Sequence, residues 1–125
     1  MYRIILVGIG GFLGASIRYI ISGLCVKVFG DTYPYGTLFV NVLGGFFIGL
    51  IMEASINGWP IPPNLRIFLT TGVLGGLTTF STFGYETISM LSDGSYLLGT
   101  VNIGLNLILS LVGVWMGKFL AQILL

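Results

Sequence analysis

The stretch Gly72 to Phe83, GVLGGLTTFSTF, decides the fold because it places small and polar residues inside an otherwise apolar segment. No residue between Arg66 and Glu86 is charged, so the segment is long enough to enter a bilayer. Two adjacent glycines weaken a helix by about 1 kcal/mol each relative to alanine, and successive hydroxyls offer the backbone competing partners. Unpaired backbone survives at membrane depth only where protein or water covers it. The stretch therefore predicts a broken helix that lines something polar.

The composition is that of a protein embedded in a lipid bilayer. Hydrophobic residues make up 55% of the 125 residues and charged residues only 7%, against roughly 25% charged residues in a soluble domain. The single cysteine, Cys25, excludes an intramolecular disulfide, and the absence of histidine removes the usual proton-transfer group. The net charge is +1 and the basic residues are scattered, so no nucleic-acid surface is expected. We expect an integral membrane protein that is not an enzyme.

Four segments of spanning length, separated by turn-like breaks, predict an all-α protein with four transmembrane helices. The predicted helices cover residues about 4–28, 36–56, 65–91 and 95–124 of a single domain, residues 1–125. Four spans place both termini on one side of the membrane. Basic residues are nearly balanced between the two sides, with a shallow preference for cytoplasmic termini. Such a balance also suits a chain that inserts in both orientations.

Small and polar residues recur every three or four positions on single faces of the predicted helices. On the second helix these residues are Thr37, Asn41, Gly45, Gly49 and Glu53, and on the fourth they are Asn102, Asn106, Ser110, Gly113 and Gly117. Glycines spaced in this way allow two helix backbones to approach closely. The three asparagines either join helices by hydrogen bonds or line a hydrated path, and the sequence leaves both interpretations open.

Arg18 is a charged residue within the first predicted span. A guanidinium group there costs about 2.5–3.5 kcal/mol on insertion scales. It therefore either faces the protein interior, a partner subunit or water, or extends to the nearer interface. An inward-facing arginine would attract anions to a vestibule.

Phe80 and Phe83 lie one turn apart on one face of the third segment. An aromatic pair in a membrane helix ordinarily serves packing or lipid contact. An aromatic ring also has a positive edge, so rings presented edge-on can meet an anion without a full charge that would trap it. Conduction requires such weak sites.

Three stretches of the chain resemble the Fluc (CrcB) family of small fluoride channels. They are GGFLGASIRY at Gly10 to Tyr19, GTLFVNVLGGFFIG at Gly36 to Gly49, and the stretch Gly72 to Phe83 quoted above. The resemblance covers essentially the whole chain. It implies a channel that passively exports fluoride from the cytoplasm across the inner membrane and gives fluoride resistance. It also implies a dual-topology homodimer, in which two antiparallel subunits form two pores at their interface.

The same resemblance implies roles for individual residues. Phe80 and Phe83 match the aromatic pore box, Asn41 matches an amide hydrogen-bond donor to the ion, and Arg18 matches the first-helix arginine. Further implied pore residues are Thr37, Ser81, Thr82 and Ser110, with Glu86 at the end of the polar track. A structural sodium ion (Na+) at the dimer centre is implied at the helix break, held by the backbone carbonyls of Gly75 and Thr78 from both subunits.

Two alternatives from other classes of protein remain. A small four-helix multidrug/proton antiporter agrees in size and in antiparallel dimerisation, but it would normally carry a glutamate in the first helix, where this chain has Arg18. A structural or assembly subunit would use all the polar faces for packing. An intramembrane hydrolase is disfavoured because a serine or cysteine nucleophile would have no histidine base.

Overall fold

The computed structural model describes all 125 residues as helices joined by short turns, without a β-strand. Three spans are single helices: α1 (Tyr2–Phe29), α2 (Tyr35–Ile56) and α6 (Tyr96–Leu124). The third span, Pro63–Ser92, comprises α3 (Pro63–Ile67), a π-helix (Phe68–Leu74), α4 (Gly75–Leu77) and α5 (Phe80–Ser92). All four spans are long and apolar enough to cross a membrane. The predicted all-α fold with four spanning helices is confirmed.

Each connection between spans contains a glycine with a positive φ angle. The angles are 81° at Gly30, 95° at Gly58 and 84° at Gly94. This left-handed conformation is open to glycine without steric cost. Pro63 then begins the third span, where a missing backbone N–H costs nothing.

The α2 and α6 helices are in direct backbone contact through their glycines. A Cβ atom on Gly45 would lie 2.9 Å from the carbonyl oxygen of Ser110, and one on Gly113 would lie 2.9 Å from that of Val42. No side chain fits at either position, so the spacing predicted from the sequence does bring these two helices together.

The α1 helix packs in the same way against the first half of the third span. A Cβ atom on Gly10 would lie 2.7 Å from the carbonyl oxygen of Phe68, and one on Gly76 would lie 2.6 Å from that of Gly11. Glycines on both helices therefore make room for the neighbouring backbone.

The third span is broken at Thr78 and Thr79, which have extended backbone conformations between α4 and α5. The predicted break within Gly72 to Phe83 is confirmed, but the placement of Gly75 at the break, which the family resemblance implied, is wrong, because Gly75–Leu77 remain helical. The glycine pair weakens an isolated helix, but here Gly76 allows close contact with α1. The π-helix before it was not predicted by any feature of the sequence.

Few large apolar side chains are buried inside one chain. Val40, Leu74 and Leu77 form a small buried apolar cluster, where α2 meets the first half of the third span. Most other large apolar side chains are exposed. In a bilayer, these side chains face lipid or another subunit.

Replacing Gly117 by alanine should destabilise the protein, because its Cβ atom would collide with the carbonyl oxygen of Phe46 in α2. Gly104, on the same helix, is the matched control, because a Cβ atom added there would have no neighbouring atom within 4 Å. Alanine favours helix formation by about 1 kcal/mol over glycine, so Gly104→Ala should be neutral or stabilising. The stability of both variants is measured by heating the protein in detergent and using size-exclusion chromatography to quantify the fraction that remains folded. Equal stability of the two variants would contradict the close α2–α6 contact.

Candidate functional site

The side chain of Asn41 supports the break in the third span. The Thr79 N–H donates to Asn41 Oδ1 at 2.8 Å, and Asn41 Nδ2 donates to the Thr79 carbonyl oxygen at 3.1 Å. An extended residue cannot use the hydrogen bonds of a helix, and a buried backbone group without a partner is costly. The amide of Asn41 therefore takes the place of the missing backbone partners.

Backbone carbonyl groups around α4 also receive hydrogen bonds from Thr78 and Arg18. Both the N–H and the Oγ1 of Thr78 donate to the Leu74 carbonyl oxygen at 3.0 Å. Arg18 Nε donates to the Gly76 carbonyl oxygen at 3.1 Å, and the Arg18 side chain is half-buried. Arg18 therefore faces the protein interior, where a positive charge meets the negative end of a short helix.

One carbonyl group at the break is free, and a second lies near it at the start of α4. The Thr78 carbonyl accepts no hydrogen bond within the chain, and neither a side chain nor a residue of the break donates to the Gly75 carbonyl. Gly75 is exposed. On the other side of the break, Thr79 Oγ1 accepts from the Thr82 N–H at 3.2 Å and caps α5.

A lateral groove of about 580 Å³ lies between α2, the break and α6. Of the predicted site residues, it is lined by Asn41, Gly75, Thr78, Phe80, Phe83 and Ser110. The rings of Phe80 and Phe83 have centroids 5.6 Å apart and are inclined by 57°. Phe80 is 83% exposed, and the Ser110 hydroxyl makes no hydrogen bond within the chain. The groove is thus lined by two aromatic rings and one free hydroxyl.

A second cavity of about 370 Å³ collects the predicted residues Thr37, Thr82 and Glu86. It also contains Tyr33, which the sequence analysis did not single out. Tyr33 Oη and Glu86 Oε1 are buried without a hydrogen-bond partner. Burial raises the pKa of the Tyr33 hydroxyl, and the neighbouring Tyr35 and Glu86 raise it further. A tyrosine hydroxyl is already protonated at neutral pH, and a raised pKa keeps it so; the Tyr33 hydroxyl can therefore donate a hydrogen bond.

Two predicted site residues, Arg18 and Ser81, line neither the groove nor the second cavity. Ser81 is exposed, and its Oγ lies 3.5 Å from Thr79 Oγ1 at the start of α5. The predicted constellation is therefore distributed over two cavities, with Arg18 behind the break.

The three asparagines contact one another. Asn41 Nδ2 donates to Asn106 Oδ1 at 3.1 Å, and Asn106 Nδ2 donates to Asn102 Oδ1 at 3.0 Å. Asn102 Nδ2 donates to Thr87 Oγ1 at 2.9 Å. Asn102 is fully buried, so the hydrated-path interpretation does not apply to it. Thr87 was missed by sequence reasoning, although three costly amides on two helices required further partners.

Fold and site together define a four-span membrane protein whose third span is broken beside an interhelical groove. A family model described as "CrcB-like protein, Camphor Resistance (CrcB)" matches residues 5–118. The chain belongs to the CrcB family, and it is a multi-pass integral membrane protein.

Several relatives are named "Fluoride-specific ion channel FluC". The protein from Clostridium perfringens (strain 13 / Type A) is 58% identical over 120 residues, which cover 96% of this chain and 94% of the relative. The protein from Clostridium novyi (strain NT) is 52% identical over 119 residues, covering 95% and 93%. The protein from Geobacter sp. (strain M21) is 46% identical over 124 residues, covering 99% and 100%.

Proposed function

We propose that this chain is a fluoride-selective channel that passively exports fluoride from the cytoplasm across the inner membrane and thereby gives fluoride resistance. Membership of the CrcB family and the names of the relatives support fluoride as the ion. The structural observation that carries the proposal is the Phe80–Phe83 pair, which lines the same groove as Asn41 and Ser110. The chain is a channel and not an enzyme.

The groove suits a small anion that must lose its water. Fluoride is strongly hydrated, so a selective path has to supply hydrogen-bond donors and ring edges in place of water while excluding larger halides. Phe80 and Phe83 offer positive ring edges, and the Ser110 hydroxyl has no partner within the chain. None of these groups carries a full charge, so the ion is held weakly and can move on.

To donate a hydrogen bond to fluoride, Asn41 must first release one of the two acceptors that its Nδ2 group already contacts. Its Nδ2 group contacts both the Thr79 carbonyl oxygen and Asn106 Oδ1 at 3.1 Å. An amide nitrogen has two hydrogens, so both are in use. Exchange of the Asn106 bond leaves the support of the break intact, and this hydrogen is therefore the one offered to the ion.

The second cavity extends the fluoride path beyond the aromatic pair. Thr37 lies one helical turn before Asn41 on α2, and Thr82 directly precedes Phe83 on α5. The hydroxyls of Thr37 and Thr82 continue the series of donors towards Glu86. Ser81 adds a hydroxyl at the start of α5, and Arg18 draws anions to the vestibule.

We also propose an antiparallel homodimer with two pores at the interface between its subunits. In one chain the groove is open on one side, and an ion there would meet lipid. The exposed apolar residues Phe80, Leu107 and Leu111 line this groove and are 83%, 59% and 62% exposed. A second copy would cover these side chains and close the path. The nearly balanced basic residues support insertion in both orientations.

A structural sodium ion at the dimer centre completes the proposal. The free carbonyl of Thr78 lies at the unwound backbone, and the exposed Gly75 lies nearby at the start of α4. Backbone oxygens at such a break suit a hard cation. One chain contributes few oxygen atoms there, so the ion would need both subunits. Its charge would compensate carbonyl dipoles that have no hydrogen-bond partner.

Fluoride efflux tests the channel and its aromatic pair. Liposomes containing the purified protein should lose fluoride rapidly in an ionophore-dependent manner and retain chloride, as followed with ion-selective electrodes. Phe80→Ile and Phe83→Ile should each lower fluoride flux at least tenfold because the ring edges are lost. Phe12 lies on α1 away from both cavities and is 71% exposed, so Phe12→Ile is the control.

Full flux in folded Phe80→Ile and Phe83→Ile variants would contradict the role of the ring edges. If neither anion leaves wild-type liposomes, the channel proposal fails. Proton-coupled export of a cationic drug would then be the next assay, since it tests the antiporter alternative.

Labelling from one side of the membrane tests dual topology. A Cys25→Ser, Leu125→Cys variant carries its only thiol at the C-terminus, because Cys25 is the single cysteine. A membrane-impermeant maleimide added to sealed, uniformly oriented vesicles should label about half of the chains, and detergent should expose the rest. Labelling of nearly all or nearly none before detergent would rule out dual insertion.

Removal of sodium tests the cation site. The reconstituted protein should unfold at a lower temperature after exchange into N-methyl-D-glucamine buffer, and sodium should restore the original value while the same concentration of choline should not. The free carbonyls are the reason for this expectation. An unfolding temperature that does not respond to sodium would argue against the site.

A further inference from the structure

We propose that Asn102, Asn106 and Thr87 are positioning residues that orient the Asn41 amide and the first turn of α5, which carries both phenylalanines. They do so as links of one directed chain of hydrogen bonds. The transport part of this inference rests on the proposed fluoride function. The arrangement of hydrogen bonds itself does not depend on that function and can be tested by NMR spectroscopy.

The chain of hydrogen bonds begins at the break. The Thr79 N–H donates to Asn41 Oδ1 at 2.8 Å, and Asn41 Nδ2 donates to Asn106 Oδ1 at 3.1 Å. Asn106 Nδ2 then donates to Asn102 Oδ1 and to the Asn102 backbone carbonyl oxygen, each at 3.0 Å. The path thus leaves the third span, crosses α2 and enters α6.

The series of hydrogen bonds then returns to the third span. Asn102 Nδ2 donates to Thr87 Oγ1 at 2.9 Å, and Thr87 Oγ1 donates to the Phe83 carbonyl oxygen at 2.8 Å. Every link points in the same direction, from the backbone N–H of Thr79 to the backbone carbonyl of Phe83. The two ends of the chain therefore enclose the turn that holds Phe80.

The direction of the chain determines which end of each amide faces which neighbour. An asparagine has a donor end and an acceptor end, and a buried hydroxyl can donate only one hydrogen. If Asn102 were rotated by half a turn, its NH2 group would face the NH2 group of Asn106. Hydrogen bonds linked in this way also polarise one another. The Thr79 backbone fixes the Asn41 amide through two hydrogen bonds. Through Asn102 and Asn106, the Thr87 hydroxyl influences the acceptor that meets the second Asn41 N–H.

Burial makes this arrangement sensitive to the loss of one link. Asn102 is 0%, Thr87 5% and Asn106 6% exposed, so water cannot replace a missing partner without rearrangement. A buried polar group that loses its partner is costly, whereas two partners replaced together by apolar groups cost much less. Contact between α2 and α6 is already provided by glycines, so these helices do not need the amides in order to pack.

The decisive pair of variants is Thr87→Val and Thr87→Ser. Valine nearly preserves the shape but removes the hydroxyl, and serine keeps the hydroxyl but removes the methyl group. Fluoride flux into or out of liposomes should fall at least tenfold in Thr87→Val, and Thr87→Ser should retain at least half of the wild-type rate. Unchanged flux in Thr87→Val, or equal loss in both variants, would overturn the proposal.

A double variant separates positioning from packing if Thr87→Val alone does not fold. Thr87→Val with Asn102→Leu replaces both members of one hydrogen bond by apolar side chains and should fold as the wild type does. Its flux should nevertheless remain at least tenfold reduced, because Asn106 keeps only the backbone carbonyl of residue 102 as an acceptor and loses the side-chain Oδ1 that holds its amide. Wild-type flux in the folded double variant would show that these hydrogen bonds only hold the helices together.

Side-chain amide signals provide the measurement that is independent of transport. In protein labelled with 15N-asparagine, the NH2 groups of Asn41, Asn102 and Asn106 should exchange slowly, whereas those of the exposed Asn57 and Asn64 should exchange quickly. Thr87→Val should shift all three protected signals, including that of Asn41.

Thr87→Ser should leave the three protected signals near their wild-type positions. If Thr87→Val shifts the Asn102 signal alone, the links are independent and the positioning chain is disproved, whether or not the wild type conducts. A wild type without flux but with coupled signals would instead remove the proposed function and leave the chain of hydrogen bonds in place.

Discussion

Two hydrogen bonds between the Asn41 side chain and the Thr79 backbone permit a span to be broken at membrane depth. The N–H and the carbonyl of an extended residue have no helical partner, and lipid offers none. Asn41 can reach them because Gly44 leaves room for the Thr78 methyl group against α2. Glycines also bring α2 against α6. The groove therefore depends on close backbone packing, which places a single amide beside the break.

Local composition and periodicity were sufficient to predict the overall architecture and part of the candidate site. Apolar length predicted four spans, and four-residue spacing predicted the faces on which the helices pack. The grouping of Phe80 and Phe83 also followed from helical spacing, because both belong to one uninterrupted helix, α5. Fluoride, by contrast, came from family resemblance, since donors and rings alone indicate only a small anion. The dimer and the sodium ion remain predictions.

The details that sequence reasoning missed are those that tertiary contacts decide. Gly75 and Gly76 looked like helix-breaking residues, yet both stay helical, and Gly76 packs directly against α1. The break falls two residues after Gly76. The π-helix has no composition of its own. Thr87 is one of many hydroxyl residues in the chain, and only the three-dimensional placement of Asn102 shows why it differs from the others.

The polarity of the third span has a consequence for how the protein is made. Its mean hydropathy is 1.3, whereas the other three spans have values of 1.8 to 2.0. It gains the least from lipid when it leaves the translocon. Its break also finds a partner on α2, which is synthesised earlier, and the Asn41 amide finds one on α6, which is synthesised later. Membrane insertion and tertiary folding of this span are therefore coupled events, completed only when the last helix arrives.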